Sequence, residues 1–343
     1  MRIRYAVAGM PIQHSLSPLL AVLTATHLKQ AGLEVEIDEI TLLETEDMTS
    51  PMAWAWVDNN RQNIGIENTL FGDPSTPSSH SKLFRIASTV MSEVKAADSN
   101  HVPHGETLFH RGEERVKIRR GTSESWISLT SPLKHLLSSR SGVHPIDASL
   151  ENGAVNQLRW DGDNWFCAGT DGNGVVSLAK HFGFDFELNG SESPLLCIVG
   201  GGGSARSCAS AWAEAGGSIW SMGGRRSLGK RGPWVDHLIS GDAVVDNIGL
   251  RLFVDFDIEP GVIDSEQTSD ADLHLISSYN SQEIGLAIDE SESGIKLDGR
   301  WLLAAQHLDA WARFYSPEAA HLLPGLGLTM TRLLAMESAL RAD

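Results

Sequence analysis

LLCIVGGGGSARSCASAWAEAGGSIWSMGGRR, residues 195–226, switches from a strand-like run to a helical one and back. Leu195 to Val199 is continuously apolar and short, as a buried strand is. Four glycines, Gly200 to Gly203, break it, and Ala205 to Ala215 then has helical spacing that stops at Gly216-Gly217. Ile219 to Met222 resumes as a second strand. This is a βαβ unit with its glycines at the first turn. Gly200-x-Gly202-x-x-Ala205 fits the dinucleotide-binding pattern in its alanine-ended form. Small residues let the turn tighten and let the backbone approach a pyrophosphate, which the first N–H groups of the helix can bind. Glycine suits any tight turn, but a strand before, a helix after and a second strand at the right distance favour the nucleotide reading. Gly200, Gly202, Gly203, Ser204 and Ala205 are the predicted cofactor contacts.

The end of the second strand refines this. An NAD site places Asp or Glu there to bond the ribose 2′-hydroxyl. This chain has Gly223-Gly224-Arg225-Arg226-Ser227, with Lys230 and Arg231 behind. Guanidinium groups bond a 2′-phosphate bidentately, where a carboxylate would repel it. A solubilising loop is the plain alternative, but a basic cluster stands out in so acidic a chain. Arg225 and Arg226 therefore predict NADP rather than NAD.

The totals set bounds. A chain of 343 residues has room for two domains, each with its own core. A formal net charge of −17 argues against nucleic-acid binding, which needs a basic face. Cys167, Cys197 and Cys208 sit in or beside apolar runs without metal-ligand spacing, which predicts buried thiols in a reducing compartment. No stretch has membrane length and no signal peptide is evident, so a cytoplasmic protein without membrane or nucleic-acid partners is expected, as monomer or homodimer.

The chain opens on a second informative stretch, AVAGMPIQHSLSP, residues 6–18. A short strand ends at Gly9 and discharges into a loop carrying Ser15 and Ser17 between Pro11 and Pro18. Ser17-Pro18 could open a helix, with Ser as N-cap and Pro at the first helical position. Equally, both hydroxyls could be held out to grip a polar ligand. A helix follows over 18–31, and a second strand over 35–40. Residues 44–125 read as a helix near 81–97, loops, and a hairpin over 106–121. Arg111, Arg115, Lys117, Arg119 and Arg120 suit a solvated edge strand. His101, His104 and His110 lie nearby without the cysteine or carboxylate pattern of a metal site, and no metal is expected.

Three further stretches lie upstream of the glycine turn: SLTSPLK (128–134), GAVNQL (153–158) and AGTDGNG (168–174). With the HSLSP loop, the glycine turn and a late Gly299-Arg-Trp-Leu302-Leu303-Ala-Ala-Gln306, their order resembles the shikimate dehydrogenase family. The resemblance spans nearly the whole chain. It implies two α/β domains with a cleft between them: a catalytic domain of residues 1–172 plus 299–343, and a Rossmann NADP-binding domain of residues 173–298. It further implies interconversion of 3-dehydroshikimate and shikimate by hydride transfer, a step of the chorismate pathway of aromatic amino acid biosynthesis. Lys134 and Asp171 then form the proton-transfer pair, since a lysine beside a carboxylate stays protonated and can polarise a carbonyl oxygen. Ser15 and Ser17 would bond the substrate carboxylate, Thr130 and Asn156 the ring hydroxyls, and Gln306 would close the pocket.

Several positions depart from the family pattern. Ser128 stands for Asn, Gln157 for Thr after G-A-V-N, Gly169 for the Asn of N-T-D, and Ile258 for a strand-end Tyr. Residues 261–298 also look inserted. The rival readings are a quinate or other cyclic hydroxy-acid dehydrogenase of the same fold, or a catalytically idle NADP-binding homologue.

Overall fold

The computed structural model describes residues 1–56, 66–95, 124–257, 271–279, 288–291 and 294–342. The expected hairpin at 106–121, the histidines at 101, 104 and 110, and Ile258 lie outside them. The chain divides into two compact units: Met1–Thr170 with His307–Asp343, and Asp171–Gln306. The sequence reading drew these boundaries at 172/173 and 298/299. Both units are α/β, as the motifs implied.

In the first unit, β1 (Arg2–Gly9) leads through the serine loop into α1 (Ser17–Gln30), then β2 (Glu36–Glu44), α2 (Thr49–Trp56) and α3 (Pro77–Glu93). β3 (Glu124–Leu129), β4 (Val143–Pro145), β5 (Gln157–Trp160) and β6 (Trp165–Ala168) complete a sheet of order β2-β1-β3-β5-β6-β4. β1 pairs in parallel with β2 and β3, while β5 is antiparallel to β3 and β6. α1 is buried along nearly its whole length and α3 only on one stripe, as their apolar spacings dictate. One core face gathers Ala6, Ile127, Leu129, Val155, Leu158 and Trp165, with Trp54 from α2.

The second unit begins with α4 (Asp171–His181). β7 (Leu195–Val199), α5 (Gly203–Glu214) and β8 (Ser218–Ser221) form the βαβ unit within one or two residues of the expected bounds. β9 (Arg251–Asp255), β10 (Leu273–Ile276), β11 (Ile288–Ser291) and β12 (Gly294–Leu297) extend the sheet to the order β11-β12-β10-β9-β7-β8. All its pairings are parallel except β11 with β12, a Rossmann-type arrangement. α6 (Gly299–Asp309) crosses the boundary and runs into a wide, π-type turn at Ala310–Tyr315, before α7 (Leu326–Ala342).

Cys167, Cys197 and Cys208 are buried and form no disulfide. Burial pushes Cys167 and Cys197 up to about 12, so these thiols stay protonated and inert. Among the described residues, no helix is long and apolar enough to cross a membrane.

Candidate active site

Two loops of the first unit are locked together at Gly9. Its φ of +146° and its close approach to the neighbouring strand both require glycine, because a Cβ there would lie 2.4 Å from Thr130 Cγ2 and 2.7 Å from the Ser131 carbonyl. Met10 N–H donates to that same carbonyl at 2.8 Å. The serine loop and the SLTSPLK loop are thus held side by side at the ends of two adjacent parallel strands, where open α/β sheets build ligand sites. Lys134 sits half-buried in a single tight turn, Leu133–His135, and its carbonyl accepts from Val155 N–H at 3.0 Å, next to Asn156.

The N-cap reading of Ser17 is corrected by the structure. Leu16 occupies the cap position with no side-chain cap bond, and Ser17 is the first helical residue. Ser15 Oγ accepts from Ser17 N–H at 3.3 Å and takes over the capping task. Its own proton is not used among the described residues. Ser17 is 7% exposed and hydrogen-bonds Tyr5. Asn156 is engaged locally: its amide donates to Thr170 Oγ1 at 3.0 Å, and its oxygen accepts from Thr170 N–H at 2.8 Å. This pair staples the end of β6 to the start of β5, and so positions the residue before Asp171. The Thr130 carbonyl accepts from Leu133 N–H at 2.9 Å, leaving its half-buried side chain at the loop surface.

In the second unit, Asp171 heads α4 and is 2% exposed. Ser204 Oγ donates to Asp171 Oδ2 at 2.9 Å. Gly172 N–H donates to Ser207 Oγ at 3.0 Å, and a Cβ on Gly172 would strike the Ser207 carbonyl at 2.1 Å. The starts of α4 and α5 therefore touch along their backbones. Gly174 likewise meets the backbone of Gln306 on α6, with its Cβ position 2.8 Å from Gln306 N.

The glycine turn suits an anion. Gly200 has a φ of +104° and donates to the Gly223 carbonyl at 2.8 Å, while the Cβ position of Gly202 faces open space. Gly203, Ser204 and Ala205 form the first turn of α5, whose N–H groups have no partner within the helix. Gly201 packs under the Arg226–Ser227 backbone, so the basic loop lies against the turn. Two residues here escaped the sequence reading. Arg206 donates to the Gly201 carbonyl at 3.0 Å; burial, and then the charge of Arg226, push its pKa below the usual guanidinium range. Asp257 Oδ2 accepts from Arg225 N–H at 2.5 Å, and its Oδ1 lies 3.8 Å from the Arg225 guanidinium. A carboxylate does reach this loop, from the end of β9 rather than of β8. Arg206 could have been found from helix spacing, whereas Asp257 follows only from the strand order.

No family model matches the chain, and no curated protein matches it in sequence. Solved structures match over its length. The shikimate 5-dehydrogenase of Thermus thermophilus in complex with shikimate has a TM-score of 0.52 at 19% identity, covering 99% of each chain. The shikimate dehydrogenase of Mycobacterium tuberculosis has a TM-score of 0.52 at 15% identity, covering 97% of this chain and 98% of its own. The fold is that of the shikimate dehydrogenases. A further Thermus thermophilus structure, holding NADP(H) and shikimate, has a TM-score of 0.51 at 20% identity and again covers 99% of each chain.

Against the shikimate dehydrogenase pattern, two of the departures prove to be one. Ser128 on β3 and Gln157 on β5 are directly opposed in register, and Ser128 Oγ donates to Gln157 Oε1 at 3.0 Å. Where the family places an amide opposite a hydroxyl, this chain places a hydroxyl opposite an amide. Ile258 lies outside the described residues; a tyrosine, Tyr279, does follow β10, with the Arg300 guanidinium 5.6 Å from its ring centre.

Proposed function

We propose that this chain is an NADP-dependent oxidoreductase that interconverts 3-dehydroshikimate and shikimate. The observation that carries the reading is the Ser204–Asp171 bond. It ties the buried carboxylate of the GTDG motif to the first helical turn of the glycine-rich nucleotide motif within one unit. A merely structural nucleotide domain has no need of a buried carboxylate there.

The nucleotide turn fits NADP. Open space at Gly202, the first turn of α5 with N–H groups that have no partner within the helix, and the Arg206 guanidinium, pushed down by burial and then by the nearby charge of Arg226, all favour a polyanion. Gly200, Gly202, Gly203, Ser204 and Ala205 would hold the pyrophosphate, and Arg225 with Arg226 the 2′-phosphate. When bound, the nicotinamide supplies or accepts the hydride.

The remaining work belongs to the chain. Ser15 donates to the carboxylate of the cyclic acid, and Ser17, bonded to Tyr5 through its side chain and to Ser15 through its N–H, holds the loop that presents it. Thr130 and Asn156 orient its ring hydroxyls, and Gln306 closes over it. Lys134 holds a proton on Nζ and gives it to the ketone oxygen as negative charge develops there; in the reverse direction it withdraws the hydroxyl proton. Asp171 would orient that ammonium.

The paired Ser128 and Gln157 departures favour a second substrate, quinate or another cyclic hydroxy acid, at the same site. A spectrophotometric panel of shikimate and quinate, each with NADP and NAD, tests both readings. Reduction of NADP with shikimate is expected. Turnover of quinate alone would move the substrate assignment, and no turnover with any pair would leave an idle homologue.

A further inference from the structure

A chain of buried hydroxyls runs behind the serine loop and ends on Gln157. Tyr5 Oη lies 2.8 Å from Ser128 Oγ and also bonds Ser17. Ser128 Oγ donates to Gln157 Oε1 at 3.0 Å, and Tyr315 Oη donates to the same oxygen at 2.7 Å. Because Ser128 gives its proton to Gln157, Tyr5 must donate to Ser128, and Tyr5 in turn can accept from Ser17. Every proton in the chain points towards Gln157 Oε1. Tyr315 is itself fixed, stacked on Trp126 with ring centres 4.2 Å apart and planes 9° from parallel.

Gln157 is 5% exposed, yet both of its side-chain bonds use the oxygen. Its amide nitrogen has no partner among the described residues. That nitrogen is also not one of the sealed, unsatisfied atoms, so it opens onto solvent-accessible space. Ser128 and Tyr315 thus fix the amide oxygen and leave its two N–H donors open, three hydrogen bonds along the chain from Ser17.

We propose that Gln157 is a substrate-binding residue whose amide nitrogen donates to a carboxylate oxygen of the cyclic acid, beside the donor that Ser15 offers. This rests on the proposed function. The directed hydroxyl chain supports it: Ser17 gives its proton inwards to Tyr5, so the serine loop alone lacks a donor for one of the carboxylate oxygens. Gln157 supplies one from the facing strand.

Gln157→Glu keeps an oxygen for Ser128 and Tyr315 and replaces the unpartnered nitrogen donor with a second, acidic oxygen that repels a carboxylate but not a carboxamide. Calorimetric titration with shikimate and with its neutral carboxamide reads binding independently of turnover. The variant should weaken shikimate binding by a factor on the order of a hundred, the usual scale for a lost bond to a charged group. The carboxamide should suffer several-fold less, and the melting temperature and NADP affinity should hold. Unchanged shikimate affinity, or equal losses for the acid and the carboxamide, would overturn the assignment. A wild-type chain that neither binds nor oxidises shikimate would overturn the proposed function and this inference together. Wild-type turnover with an unmoved variant would overturn only the inference.

Discussion

Ser204 Oγ and Asp171 Oδ2 are 2.9 Å apart, joining the second residue of α5 to the first residue of α4. The bond is charge-assisted, and such bonds contribute roughly 1.5–3 kcal/mol. Ser204→Ala should therefore lower kcat/KM for shikimate about tenfold or more through misorientation of Asp171, and Ser204→Thr should restore most of it. Steady-state kinetics of the two variants check this. Equal loss in both variants would show that packing, and not the hydroxyl, matters.

Arg225 and Arg226 are the residues proposed to read the 2′-phosphate of NADP. Replacing both with alanine should raise KM for NADP by a factor of ten or more and leave KM for NAD nearly unchanged, because only one cofactor carries the dianion. Equal effects on the two cofactors would remove the basis for the NADP preference.

Asp257 sits against the same loop and neutralises part of it. Asp257→Asn keeps an acceptor for Arg225 N–H and deletes the charge. NADP should then bind several-fold tighter at low salt, and the gain should shrink as ionic strength rises. Titration of cofactor fluorescence at two salt concentrations measures it.

His307 carries a pH dependence of stability. Complete burial pushes its pKa from 6.5 down to about 3, with a backbone bond to Leu20 opposing the shift. Trp311 Nε1–H donates to His307 Nε2 at 2.9 Å, which a neutral ring accepts. The unfolded chain binds a proton at this residue below about pH 6.5, and the folded chain does so only near pH 3. The stabilisation is complete above pH 6.5 and is lost as pH falls towards 3, at up to about 1.4 kcal/mol per pH unit. His307→Gln should flatten the fall in melting temperature between pH 7 and 5. An unchanged slope would assign the acid lability to other groups.

Much of this molecule is legible in its sequence because its signals are local. The βαβ unit at 195–226 is set by apolar runs and glycines within one stretch, and it forms within one or two residues of the expected limits. The misread features all depend on contacts between distant segments. Ser17 looks like a cap because Pro18 follows it, but Tyr5 claims its side chain and Ser15 caps instead. Asp257 is unremarkable in sequence until strand order brings β9 beside β7. Ser128 and Gln157 look like two independent departures, 29 positions apart, until antiparallel pairing sets them face to face. Tyr315, 158 positions from Gln157, meets it from the end of a π-type turn at Ala310–Tyr315 that no local signal announces.

The most direct test of the account is the turnover number for NADP-dependent shikimate oxidation by the wild-type chain, Lys134→Ala, Asp171→Asn and the double variant. If Lys134 and Asp171 work as one proton-transfer unit, Lys134→Ala should lower kcat by about 10²–10⁴ with cofactor affinity intact. Asp171→Asn should lower kcat and raise KM for shikimate. The double variant should be little worse than the poorer single one, because residues acting together are not additive. Near-normal turnover by Lys134→Ala, or fully additive losses in the double variant, would contradict the account.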